Sequence, residues 1–254
     1  MTEHEVGTRQ EGLAARIPVG SSLLLLGGVV AVAWVVTVER MRGMDEGPGT
    51  HLGELGWFLG VWVTMTAAMM LPSTARLVAR VAGGLPTVLF AAGYVAAWTV
   101  YGLAAYGVFR LVQSWGPEWL AWDRGGPYVA GGAILIGGLY ELTPLKDAFL
   151  SRCRSPRHGL EPSLGAGLGH GLDCVVCCFG LMLVLFALGV MSILWMAVVA
   201  AVIFAEKVLP HGFGLTRVVA VALVALGLWV GLSPSSVPGL TEPGDTPPSM
   251  RMEM

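Results

Sequence analysis

From Leu172 to Ala205 the chain runs through thirty-four residues with a single formal charge, Asp173. As one helix that run would measure about 51 Å, against a bilayer hydrocarbon core of about 30 Å. Gly189 stands near its middle, so the run reads as two helices joined in a tight hairpin. One long tilted helix is the alternative reading.

Five further apolar segments flank this pair. The seven segments fall at about 17–38, 56–71, 86–109, 127–145, 166–188, 191–208 and 214–232. They imply an all-α chain, a polytopic transmembrane helix bundle of about seven helices, or six if the long run is not broken. Hydrophobic residues make up 55% of the chain and charged residues 13%, where a soluble domain carries about 25% charged residues. Net charge is −2 and no basic block occurs, which argues against a nucleic-acid partner and leaves membrane lipid as the expected surroundings.

Three regions follow. Residues 1–16 are a polar tail, residues 17–232 the helical domain, and residues 233–254, rich in Pro, Ser and acids, a tail expected to be disordered. The first apolar segment is too long for a signal peptide and ends in Glu39-Arg40-Met41-Arg42, so it reads as a retained helix. With the N-terminus inside, the inner loops collect ten Lys and Arg and the outer ones five, which places the N-terminus in the cytoplasm and the C-terminus outside. Trp115, Trp119 and Trp122 then read as an interfacial belt on the outer side. Gly131-Gly132 and Gly137-Gly138 suit close helix packing in lipid.

Chemistry concentrates in one stretch. All four cysteines lie between positions 153 and 178, and Cys174, Cys177 and Cys178 open the fifth segment. At 3.6 residues per turn His170, Cys174 and Cys177 share a helix face, with Asp173 and Cys178 on its flanks. Thiolates and an imidazole so spaced offer two or three ligands to one soft or borderline ion, Cu(I) first and Zn(II) second. The bland alternative is small apolar filling, since free Cys is among the most buried residue types.

Under the proposed orientation other residues gather at the same membrane face. Met65 and Met69 stack at i, i+4 and offer thioethers, although Met is equally a filler of irregular gaps. Glu141 ends the fourth segment and is a functional candidate because an ionisable group in a span is costly. Lys146, nearer the interface, is expected to snorkel. Glu206 is a candidate too, or with Lys207 simply marks the end of the sixth helix. Cys153 lies in the basic loop between the fourth and fifth segments.

At these residues the chain resembles a bacterial family of predicted metal-binding integral membrane proteins, a domain of unknown function. The matching pieces are Met65 with Ala68-Met69-Met70-Leu71-Pro72, Leu142-Thr143-Pro144-Leu145-Lys146, Cys153-Arg154 with Pro156, and Gly169-His170-Gly171. Cys174 with Cys177-Cys178, Met182, Gly189 with Met191, Trp195-Met196 and Glu206-Lys207 complete the set, over roughly residues 55–210. Two positions depart from the pattern: Glu141 stands where Gln is expected and Phe179 where Trp is. The resemblance implies a multi-pass protein of a bacterial inner or plasma membrane.

The leading functional reading is copper handling, by transport or by delivery to a partner metalloprotein or metallochaperone. Cys174, Cys177 and Cys178 would hold the ion, helped by His170, Met65 or Met69, with Cys153 and the Met pair as stepping stones. A membrane thiol–disulfide relay, suggested by Cys174-Val175-Val176-Cys177, and a non-catalytic assembly subunit are the alternatives. Enzymatic chemistry has little support, because no nucleophile-and-base set, phosphate loop or paired zinc-protease histidines occurs. The sequence leaves homo-oligomerisation open.

Overall fold

The computed structural model describes residues 19–42, 53–78, 85–115, 125–154, 163–190, 192–209 and 214–234. The tails 1–16 and 235–254, with Trp119 and Trp122, lie outside the described residues. Within them the chain is all helix: α1 (Val19–Met41), α2 (Leu55–Val78), α3 (Leu85–Ser114), α4 (Gly126–Glu141), α5 (Pro144–Arg154), α6 (Leu164–Leu188), α7 (Ile193–Val208) and α8 (Leu215–Leu232).

Each of the seven apolar segments coincides with a helix. By length and composition α2, α3, α6 and α8 suffice to cross a membrane, and α4 and α5, bent by 66° at their junction, qualify together as a fifth. The 16-residue α7 would span only about 24 Å. The eighth helix, α5, was expected as part of a loop. Its Lys, Asp and three Arg or Cys positions hid it from an apolar pattern, yet it turns for a full eleven residues beginning at Pro144, a residue that fits the first turn of a helix.

Gly189 does break the long run. It takes φ +110°, a conformation that suits glycine, between the end of α6 and Ser192, whose amide donates to the Gly189 carbonyl at 3.1 Å. Two separate helices result. At the other end of α6 the Ser163 hydroxyl caps the first turn, accepting from the Ala166 amide at 3.2 Å.

α6 is the hub, packed against α3, α4, α5 and α7. Lipid tails are as apolar as leucine, so helices in a bilayer associate through close packing of small residues. Gly137 on α4 and Gly180 on α6 meet so closely that a Cβ on either would lie under 3 Å from the other's carbonyl oxygen. Gly131 on α4 meets Gly227 on α8 in the same way, whereas Gly132 faces open space and has no such role. Gly167 and Gly171 on α6 bring Phe90 and Tyr94 of α3 against the hub. Outward, branched aliphatic residues such as Val32, Val100, Ile136 and Val221 are exposed, an apolar coat of the kind lipid accepts.

Candidate metal centre

Cys174, Cys177 and Cys178 occupy the middle of α6, about three to four turns beyond its first residue, and not its opening turn. The apolar pattern set the start of this segment at about 166, two residues after the observed one. All three thiols are buried, and their sulfurs lie within 4.8 Å of one another. Cys177 Sγ is 3.5 Å from Cys178 Sγ and donates to the Cys174 carbonyl at 3.3 Å. A metal–sulfur bond of about 2.3 Å sets sulfurs about 3.8–4.0 Å apart in tetrahedral or trigonal geometry. The trio therefore fits one thiophilic ion with little rearrangement. None of the four cysteines is in a disulfide.

The expected face of His170, Cys174 and Cys177 is replaced by one of Cys174, Cys177 and Cys178. Cys178 follows Cys174 by one turn and points to the same interior as Cys177. His170 is half-buried one turn earlier, its ring 5.9 Å from those of both Phe90 and Tyr94, and it stands outside the sulfur group. Asp173 turns toward α5, where its carboxylate lies 3.7 Å from Arg152 Nη1.

Two residues from other helices contact Cys174. The Tyr94 hydroxyl of α3 is 3.0 Å from its sulfur, and Lys207 of α7 donates to the same sulfur at 2.9 Å and to Ser73 Oγ of α2 at 3.3 Å. Lys207 was expected at most to mark a helix end, and Tyr94 was not anticipated at all. Its segment also carries Tyr101 and Tyr106, each beside a glycine, so no local signal singles out Tyr94. An ammonium here supplies a fixed positive charge beside a cluster that becomes anionic when the thiols lose their protons.

Beside the sulfurs lies a buried ion cluster. Lys146 does not snorkel: its side chain is 0% exposed and is held by Glu141 and by Glu206, the latter at 2.8 Å. Three helices meet in this cluster, α4, α5 and α7. Desolvating a lysine is costly unless it is paired, and here two carboxylates supply the pairing. Glu141 Oε1 and Glu206 Oε1 keep no hydrogen-bond partner. Arg154 adds a second tie between α5 and α7, its Nε donating to the Glu206 carbonyl at 2.7 Å. Glu141 and Glu206 are thus engaged by an ammonium rather than turned to the sulfurs.

Cys153 sits on the last turn of α5, half-buried, with its sulfur 3.4 Å from Cys177 Sγ. It touches the sulfur group without belonging to the set of mutual neighbours. Met65 and Met69 are buried in the same core as the cysteines, together with Phe58 and Trp62 of α2. The two departures from the family pattern differ in setting: Glu141 serves the ion cluster, while Phe179 is 40% exposed and meets Tyr101 and Tyr140 edge-on.

Neither the curated proteins nor the solved structures compared with this chain gave a match. The model of a family described as copper chaperone, PpoB2, matches residues 59–230. That stretch holds α2 from its second turn almost to the end of α8, every cysteine, and the lysines and carboxylates around them. With more than half of its length matched and a buried three-cysteine group inside the matched region, the chain belongs to this copper chaperone family.

Proposed function

We propose that the protein is a multi-pass membrane copper chaperone that holds Cu(I) on Cys174, Cys177 and Cys178 and delivers it to a partner metalloprotein. The observation that carries this reading is the group of three buried sulfurs within 4.8 Å of one another. Soft thiolates select Cu(I) and Zn(II). A structural zinc site wants four protein ligands, and the residues at the remaining side of Cys174 are a lysine and a tyrosine, which leave a three-sulfur shell. Three thiolates and Cu(I) together carry a charge of −2, and Lys207 offsets part of it.

The long apolar helices and their exposed aliphatic coat support a bilayer location. The excess of Lys and Arg on one side supports an orientation with the copper centre toward the cytoplasm, and the resemblance given above implies a bacterial inner or plasma membrane. In this reading His170 packs between aromatic rings and Met65 and Met69 fill the core, while Glu141, Glu206 and Asp173 hold helices together through Lys146 and Arg152. The ligands are the cysteines alone.

The test is copper content of detergent-purified protein loaded with Cu(I) under reducing conditions, beside Zn(II) loading. One Cu(I) per chain, with zinc displaced by copper, supports the proposal. A chain that takes up neither ion, or prefers zinc, refutes it.

A further inference from the structure

The three central sulfurs are almost wholly shielded, with Cys174, Cys177 and Cys178 between 0% and 2% exposed. An acceptor's ligand has no direct route to copper held there. Metal transfer between thiols proceeds by an incoming ligand joining before an old one leaves, so some sulfur nearer the surface must make the first exchange. Cys153 is half-buried and its sulfur lies 3.4 Å from Cys177 Sγ. It also belongs to a different helix, α5, which leaves α4 at 66°.

Resting on the copper reading above, we propose that Cys153 is the transfer thiol, taking Cu(I) from the three-cysteine centre and presenting it to the acceptor. Cys177 is the pivot, since its sulfur contacts both Cys153 and Cys178. A bond forms from Cys153 Sγ to the ion as the bond from Cys174 or Cys178 breaks. The Cys153 thiol proton passes to the departing sulfur, and copper remains Cu(I), so no electron is exchanged. The step is a ligand swap with atoms and charge conserved.

The position of Cys153 is set by the clamp on α5. Lys146 lies two turns before it, fixed between Glu141 and Glu206, and Arg154 follows it, bonded to the Glu206 carbonyl. Four of the sulfur and charge contacts that define the site therefore act through an eleven-residue helix whose other face carries the exposed Arg152. A fourth permanent ligand would be expected among the mutual neighbours of the other three, and Cys153 is not one of them.

The experiment follows release of copper from the full chain, purified in detergent, loaded with one Cu(I) under argon and mixed with excess bathocuproine disulfonate. Cys153→Ser and Cys153→Ala are expected to keep the parent's copper stoichiometry and elution volume while releasing the ion about tenfold more slowly. Equal release rates would overturn the proposal, because copper would then leave by another path. Loss of stoichiometric copper in both well-folded variants would also overturn it, by making Cys153 a resident ligand. Cys178→Ser, run beside them, tests the centre itself. If the parent chain takes up no copper, the copper reading and the transfer thiol fall together.

Discussion

The ammonium of Lys207 lies 2.9 Å from the sulfur of Cys174, across the interface between α7 and α6. It ties the charged end of one helix to the thiol cluster of another, with Ser73 of α2 as a third anchor. The next residue back, Glu206, turns instead to Lys146. Two neighbours on α7 thus serve two adjoining clusters, one of sulfur and one of charge.

The first expectation concerns that contact. Removing the positive charge with Lys207→Met, close in length, leaves the anionic copper–thiolate group without its nearest counter-ion. Cu(I) affinity, measured by competition with a chelator, should fall about tenfold, or ~1.4 kcal/mol. Lys207→Arg should recover part of it. Unchanged affinity in Lys207→Met would remove the lysine from the account of the site.

Lys146 supplies the second. Lys146→Met leaves Glu141 and Glu206 facing each other in a buried place without their cation. Breaking a buried pair by deleting one partner costs about 3–5 kcal/mol. The thermal midpoint should drop sharply, and the triple change Glu141→Gln, Lys146→Met, Glu206→Gln should regain much of the loss. A Lys146→Met protein as stable as the parent would contradict the clamp.

The third tests the helix contact that brings Tyr94 to Cys174. A Cβ at Gly167 would collide with the Phe90 carbonyl, a backbone atom with little freedom to move. Gly167→Ala should destabilise the protein by about 1–3 kcal/mol. The same change at Gly132, which faces open space, should cost far less. Equal effects at the two glycines would show that close α3–α6 approach is not what Gly167 provides.

The thioethers give the fourth. Met65→Leu with Met69→Leu conserves volume, and such swaps cost less than about 1.5 kcal/mol. Copper stoichiometry and affinity should stay at the parent's values. A marked loss of affinity with the fold intact would put a thioether in the copper shell.

Much of this fold was legible because most of its helices are long apolar runs, and Gly189 announced the break between α6 and α7. The helix α5 was not, since its charged residues resemble a loop until Lys146 is seen to be buried. That burial depends on Glu141 and Glu206, sixty-five residues apart in the chain, a pairing no local pattern reveals. Cys174 and Cys177 could be chosen from spacing alone, but helical periodicity puts His170 on their face and Cys178 only on its flank. Packing decides between them: the rings of Phe90 and Tyr94 lie beside His170, and Cys178 is left facing the other sulfurs.

The most direct test of the central claim is X-ray absorption at the copper edge on the loaded protein, which counts the atoms bound to the ion. The account expects Cu(I) with three sulfur neighbours at about 2.3 Å and no imidazole pattern from His170, and loss of the three-sulfur shell in Cys178→Ser. A first shell containing nitrogen, or an unchanged shell in Cys178→Ser, would contradict it.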